Sequence, residues 1–538
     1  MQKCQQHWQK SNVENILTIR EITSTSDHYK NQSRVKTQLQ NFFHFVWLLI
    51  FGFSCAQKDA DSTEAPQQML PNFIIIFTDD QGYGDLSCFG ASHVNTPNID
   101  RMAKEGIKST SFYVAAALCT PSRAALMTGS YPKRVNLADG SIFPVLLAGD
   151  SKGLHPDEIT IAEVLRDRGY ATGIFGKWHL GDQSEFLPTR QGFDEFFGIP
   201  YSHDIHPFHP RQDHFNFPPL PLLDNEKVIE LDPDANFLTK RITQRAVQFI
   251  EKNRDGPFFL YIPHPIPHHP VYASPDFMET VSDSLQALLG LENESVDYTV
   301  RGSLYPQAIS EIDWSVGQIM ETLVKYKLDS NTLVFFTSDN GPDGGYNSEP
   351  MGSAGPLRGR KGSTFEGGMR EPAVARWPGR IPSGVETDEL LTAMDLLPTF
   401  AKLACADIPK DRVIDGKNIW PVLSGQLGAT SPHDRFFYHR SNELRAVRSG
   451  KWKYHEILPD QPNGNNGIKT PNSALYNLDI DIGETQDLSD QHPEIVARLK
   501  GYIKAFESEL GKGDSLSARC RPAGWVGDPK PLTKENGV

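Results

Sequence analysis

The chain has 538 residues, 38% hydrophobic and 10% aromatic, which exceeds one ordinary domain and suffices for a large core with a smaller companion. Its 53 basic and 67 acidic residues give a formal net charge of -14. That balance argues against a general nucleic-acid or membrane-surface binder, and an anionic substrate would have to be drawn in by a few focused cations.

The first stretch reads as an address. It is polar and basic to Lys36, and the apolar run Phe42 to Phe53 follows. That run is short of the roughly 20 residues a membrane-spanning helix needs and resembles a secretory signal. Cys55 directly after Ser54, ahead of the hydrophilic tract Lys58 to Gln68, looks like a bacterial lipoprotein cleavage site, although Gly52 stands where leucine is usual. The expectation is a leader over residues 1–55, a linker over 56–70 and an exported protein, periplasmic, extracellular or lipid-anchored through Cys55. With Cys4 and Cys55 in the leader and Cys119 a reactive candidate, Cys88, Cys405 and Cys520 read as isolated buried thiols, with a Cys405 to Cys520 bridge as the alternative.

Phe73 to Phe77 is a continuous apolar, β-branched run, as in a strand covered on both faces of a parallel sheet, and it ends in Asp79-Asp80. Ligands bind beyond the carboxyl ends of such strands, so these carboxylates are placed for a cation. Asn95 to Asn98 opens a helix that closes near Gly106. In Leu118 to Gly129, Pro121 suits a first helical turn, so Thr120 or Cys119 is expected at the cap, over unpaired amides and the positive end of the dipole. Arg123 adds charge to this anion site.

Thr160 to Glu163 is a capping box for a helix ending at Gly169, and the strand Ala171 to Phe175 follows. Lys177 and His179 stand just beyond it. Tyr201 to Pro219, rich in proline and histidine, is read as a long loop lining a cleft, in which His203, His206, His209 and Phe215 could form a sugar subsite. Leu238 to Lys252 reads as a helix and Pro257 to Ile262 as a buried strand, with the run Pro263 to Pro270 beyond its end. Residues 271–304 are weakly patterned. Tyr305 to Lys327 has helical spacing, and Thr332 to Thr337 is a second buried strand ending near Asp339-Asn340. A glycine-rich loop from Arg358 to Arg370, including Lys361, supplies cations able to approach an anion. After a short helix, Asp395 to Ala404, strand-like runs begin near Pro432 and precede a helix from Pro493 to Leu510. The division expected is a catalytic domain over 71–430 and a C-terminal subdomain over 431–538.

Two strands remote in sequence thus each deliver paired oxygen ligands to one edge. Asp79, Asp80, Asp339 and Asn340 are all hard donors, which points to calcium, with magnesium the lesser fit because it tends to keep several waters.

Cys119-Thr120-Pro121-Ser122-Arg123 is the signature of the formylglycine-dependent sulfatases, and the run through Thr128-Gly129 resembles theirs residue for residue. Pro267-His268-His269-Pro270 and Gly198 to Asp204 also match family motifs. The resemblance implies an α/β, alkaline-phosphatase-like fold, a large mostly parallel mixed sheet sandwiched by helices with a small C-terminal antiparallel sheet plus helix. It implies that a maturation enzyme converts Cys119 to formylglycine, whose hydrate attacks sulfur and whose second hydroxyl then expels sulfate, with position 119 also a metal ligand. Arg123, Lys177 and Lys361 would bind sulfate, His268 would protonate the departing alcohol, His179 would act as base, and Ser202 and His203 would line the substrate pocket. The expected substrate is a sulfated carbohydrate. The rival readings are a phosphate or phosphonate ester hydrolase of the same superfamily and an inactive exported glycan-binding relative. A cysteine phosphatase is disfavoured, because Cys119 lacks the longer phosphate loop.

Overall fold

A computed structural model of the protein describes residues 70–289, 298–344, 351–458 and 473–535. The expected leader, Cys55 and the linker to residue 69 lie outside the described residues. In chain order the first strands are β1 (Asn72–Asp79), β2 (Ile107–Tyr113), β3 (Lys152–Gly153), β4 (Ala171–Lys177), β5 (Glu195–Ile199), β6 (Pro221–Asp224), β7 (Lys227–Leu231), β8 (Phe258–Pro267), β9 (Thr332–Ser338), β10 (Arg370–Arg376), β11 (Val385–Thr387) and β12 (Leu391–Thr392). All but β3 form one mixed sheet in the order β11-β2-β10-β9-β1-β8-β4-β5-β6-β7, with β12 beside β2.

The centre of this sheet is parallel: β1 runs with β8 and β9, and β4 with β5 and β8. The continuous apolar pattern of β1 has a direct physical reason. Phe73, Ile75 and Phe77 enter a core shared with the helices Cys119–Thr128 and Leu396–Leu403, while Ile74 and Ile76 enter the opposite core, packed by the helices Leu238–Lys252 and Tyr305–Lys325. Helices thus cover both faces, as the sequence predicts, and all the expected strand ends open on one edge.

Two boundaries differ from expectation. The Pro-His run is not all beyond β8, which continues to Pro267. Its pairing with β4 stops at Tyr261, so the prolines past that point lack an N–H where β4 no longer asks for one. The helix bearing Cys119 begins one residue early, with extended Leu118 as its cap and Cys119 as its first residue. Thr120 does not cap, because its hydroxyl accepts from Leu146 N (3.1 Å) and ties down the 146 loop.

The small sheet consists of β13 (Phe436–Arg440), β14 (Glu443–Ser449), β15 (Trp452–His455) and β16 (Ala474–Asn477), all antiparallel, with the helix Pro493–Leu510 stacking Phe506 on Phe437 at 4.0 Å. Buried Glu366 joins it to the large sheet, accepting from Tyr438 Oη (2.8 Å) and Lys453 Nζ (2.9 Å) on one side and Tyr113 Oη (2.5 Å) on the other. Burial alone would raise the Glu366 pKa, but Lys453, Arg370 and Arg448 hold it well below the usual carboxylate range. The tail returns as β17 (Gly524–Trp525), antiparallel to β3.

The cysteine expectation is corrected. Cys405 is disulfide-bonded, whereas Cys520 is a free thiol donating to Leu510 O (3.2 Å), so Cys405 is no isolated thiol and the two are not paired with each other.

Lys453 also pairs with Glu484 at 2.9 Å, and all three groups are fully buried. Lys453→Ala leaves two carboxylates short of their shared counter-ion and should lower unfolding free energy by about 3–5 kcal/mol. Urea unfolding checks this; an unchanged midpoint would contradict the role given to the pair.

Candidate active site

The site forms where β1, β4, β8 and β9 end, and its charged groups are carried there by several elements remote in sequence. Asp79 is the last residue of β1, Lys177 the last of β4, and His268 follows β8. Asp339 and Asn340 follow β9, Cys119 and Arg123 lie in the first turns of their helix, and Lys361 comes from the glycine-rich loop. Asp80 and His179 hold positive φ angles of 63° and 62°, a strained backbone for side chains of their kind. Gly341 lets the loop come close: a Cβ there would stand 1.9 Å from Gly367 O.

Three carboxylates meet three cations, all of them buried except Lys361, which keeps some contact with water. Lys177 Nζ lies 2.5 Å from Asp79 Oδ2, Arg123 Nη2 2.8 Å from Asp339 Oδ2, and Lys361 Nζ 2.7 Å from Asp80 Oδ2. Arg123 is fixed further by donating from Nη1 to Lys177 O (2.9 Å). Asn340 Nδ2 donates to Asp80 Oδ1 (2.6 Å), and Asp80 N donates to Asp339 Oδ1 (3.1 Å). Ligand atoms of Asp79, Asp80, Cys119 and His268 all lie within 4.8 Å of one another, a group able to hold a metal ion.

The residues fit a divalent cation on an independent observation. Asp79 Oδ1 and Asn340 Oδ1 are buried oxygens that accept no hydrogen bond, with Arg123 Nη2 standing 3.7 Å from the former. Orphaned buried acceptors of this kind are costly, and a hard cation satisfies them. Carboxylates engaged by such an ion would leave the charge of Lys177 and Lys361 for an anion.

Protonation states follow from burial and neighbours. Burial would raise Asp79, but Lys177, His268, Arg123 and Lys361 hold it well below the ordinary carboxylate value. Asp80 is pushed up to about 6, by burial and by Asp79 and Asp343 against the opposing Lys361, and Asp339 to about 7, by burial and then Asp79. Burial lifts the Cys119 thiol well above its ordinary value despite Lys177 and Lys361, so it stays un-ionised and unreactive as a thiolate. His268 is lowered to about 3 by burial and Lys361, and His179 falls well below its usual value through burial, Lys177 and Arg123. Both imidazoles are neutral here.

His179 Nε2 contacts Leu146 O at 2.9 Å and therefore carries the proton, which leaves its buried Nδ1 as an acceptor without a partner. His268 Nδ1 contacts His269 O at 2.5 Å and likewise carries its proton, turning Nε2 toward Asp80 Oδ2 at 3.5 Å. His203 and Ser202 are buried beyond it; the His203 ring lies 5.6 Å from that of His268, its Nε2 meets Pro270 O at 2.9 Å, and burial lowers its pKa to about 4.

Some expectations do not meet here. Of the cations expected on the glycine-rich loop, Lys361 alone pairs with an acid of the cluster; Arg358 donates to Glu484 O (2.6 Å), and Arg370 Nη1 pairs with Glu366 at 3.2 Å. His209 packs among Phe215, Phe217 and Tyr298, with ring distances of 5.5, 5.3 and 6.2 Å. Asp343 was missed: its carboxylate pairs with His269 and raises the pKa of Asp80. Its only sequence signal is a second acid four residues after Asp339.

Comparison with known proteins agrees with this geometry. A family model described as Sulfatase matches residues 71–406, and one described as the C-terminal region of aryl-sulfatase matches residues 431–528. The chain is 38% identical to human arylsulfatase A over 478 residues, covering 82% of this chain and 88% of that protein. It is 40% identical to N-acetylgalactosamine-6-sulfatase of Sus scrofa over 520 residues, covering 89% and 92% respectively. Among solved structures, Ps i-CgsB in complex with k-i-k-neocarrahexaose superposes with a TM-score of 0.67 at 30% identity, over 81% of this chain and 93% of that one.

The acid cluster makes a testable statement about pH. Asp80 and Asp339, raised above an unfolded value of about 3.9, keep protons that the unfolded chain has given up. In cation-free protein their contribution is therefore full below pH about 4 and is lost as pH rises toward 7. A bound divalent cation replaces those protons. The melting-temperature difference between calcium-loaded and chelator-treated protein should widen from pH 4 to pH 7; a difference that is absent or shrinks over that range would contradict the cation site.

Proposed function

The chain belongs to the sulfatase family and is a sulfuric ester hydrolase, and from that premise we propose that it releases sulfate from a sulfated polysaccharide or its oligosaccharides. The observation that carries the reading is the buried convergence of three cations, three carboxylates and Cys119 at one sheet edge. A carbohydrate substrate is supported by the likeness to Ps i-CgsB, solved with an oligosaccharide bound.

In this reading Asp79, Asp80, Asp339 and Asn340 hold calcium, with position 119 beside them. When bound, the ion supplies Lewis-acid polarisation of a sulfuryl oxygen. Formylglycine made from Cys119 supplies, as its hydrate, two hydroxyls on one carbon, one to attack sulfur and one to release it, which neither a thiol nor a serine has.

Lys177 and Lys361 bind the sulfuryl oxygens and offset the charge that grows on them. Arg123, held between Asp339 and the Lys177 carbonyl, fixes the register of the helix that carries position 119. His179 accepts a proton at Nδ1, the nitrogen its Leu146 contact leaves free. His268 gives a proton to the departing alcohol from Nε2. Burial and then Lys361 keep it neutral, and a sulfate bound between Lys361 and His268 opposes the second of these and raises its affinity for the proton. Ser202 and His203 form the wall behind His268. The leader pattern supports export, and the Cys119 motif supports action of a maturation enzyme before the protein is active. Residues 71–430 and 431–538 serve as catalytic domain and subdomain.

The decisive comparison is 4-nitrophenyl sulfate against 4-nitrophenyl phosphate at matched pH and calcium. The sulfate should give the larger kcat/KM; a large preference for phosphate would overturn the assignment.

A further inference from the structure

Next to the catalytic cluster lies a cavity of about 510 Å³, within the size range of small-molecule sites, with His93, Tyr298, Ser303, Tyr305, Met351 and Ser353 among its lining residues. None of these belongs to the machinery assigned above. Three connections bind the cavity to that machinery. Asp85, in the turn that follows Asp79 and Asp80, accepts from Gly82 N (2.8 Å), from Ser353 N (2.8 Å) and from Tyr305 Oη (2.6 Å), and it pairs with His93 Nε2 at 3.2 Å. The Tyr298 ring stands 5.6 Å from His269, whose ring stands 5.0 Å from His268. Arg360, the neighbour of Lys361, donates from Nη1 to Asp343 O at 2.6 Å and to Met351 O at 3.5 Å.

The state of Arg360 is informative. Its hydrogen-bond partners are neutral carbonyls, one of them that of the cavity-lining Met351, and it forms no ion pair among the described residues, although it is half-buried and within the field of Asp343 and Asp85. A guanidinium in that position has unspent capacity for a bidentate anion, sulfate or carboxylate. The lining supplies the remainder of a sugar site: serine hydroxyls and His93 for its oxygens, beside the largely buried rings of Tyr298 and Tyr305. Of the histidine-rich loop expected to provide such a subsite, His209 is taken up by packing against Phe215 and Phe217.

We propose that this cavity binds the sugar unit adjoining the one being desulfated, and that Arg360 pairs with a second anionic group on that unit. The inference rests on the carbohydrate reading above. It makes the protein a sulfatase selective for multiply charged oligosaccharides, reading charge at two places.

The test uses 4-nitrophenyl sulfate and disaccharides of galactose and of N-acetylgalactosamine carrying one sulfate, one sulfate with a uronic-acid carboxylate, or two sulfates. Wild-type protein is compared with Arg360→Met, which removes the charge, and with Ser303→Trp, which fills the cavity from an exposed position. Wild type should show a KM lower by about tenfold or more for doubly than for singly charged disaccharides. The advantage should disappear in both variants while their rates on 4-nitrophenyl sulfate stay near wild type. The two second anions separate a sulfate-reading from a carboxylate-reading Arg360. Equal KM values for singly and doubly charged disaccharides in wild type would overturn the inference alone, as would an undiminished advantage in Ser303→Trp. Cleavage of 4-nitrophenyl sulfate with no release from any disaccharide would overturn the carbohydrate reading and this inference with it.

Discussion

Burying Asp79, Asp80 and Asp339 at the carboxyl edge of one sheet is the constraint on which the other features of the site depend. Charged groups removed from water must be matched, and removing one partner from such a set costs several kcal/mol. The chain answers with one cation for each acid: Lys177 from the end of β4, Arg123 from the helix after β2, and Lys361 from the loop before β10. The match is made by elements far apart in sequence, so the site assembles only when the whole parallel centre of the sheet is in place. Two acceptors, Asp79 Oδ1 and Asn340 Oδ1, are still left without a donor, which is why a divalent cation belongs to the same accounting.

The helix beginning at Cys119 is tied to this cluster more tightly than its short length suggests. Arg123 bridges Asp339 and the Lys177 backbone, and Thr120 fastens the 146 loop whose carbonyl sets the tautomer of His179. Position 119 is therefore held against the acids with little freedom. A thiol there gains nothing from the nearby lysines, because burial keeps it protonated. On the proposed reading the placement makes sense for an aldehyde derived from Cys119, which needs no ionisation to be hydrated.

Much of this was legible before any coordinates. The buried strands were readable because helices on both faces demand continuous apolar runs, and the acids at their ends because two strands remote in sequence each finish in a pair of oxygen ligands, a combination far less expected than either pair alone. The helices Leu238–Lys252 and Pro493–Leu510 were readable from spacing alone. What was not legible depends on side-chain partners. Lys361 was singled out by the family resemblance; nothing local distinguishes it from Arg358 or Arg370, which differ in the partner folding brings near: Asp80 for Lys361, Glu366 for Arg370 and a backbone carbonyl for Arg358. Thr120 reads as a cap because its competing partner, Leu146 N, lies 26 residues away. His209 looked available for a ligand because composition cannot show that Phe215 and Phe217 pack around it.

The central claim is that the cluster is built around position 119 as an aldehyde precursor. Mass spectrometry of the peptide containing Cys119, taken from protein whose sulfate-releasing activity has been measured on the same sample, tests it most directly. The account predicts aldehyde in place of thiol, in a fraction that rises and falls with activity among preparations. Fully active protein carrying only the unmodified Cys119 thiol would contradict it.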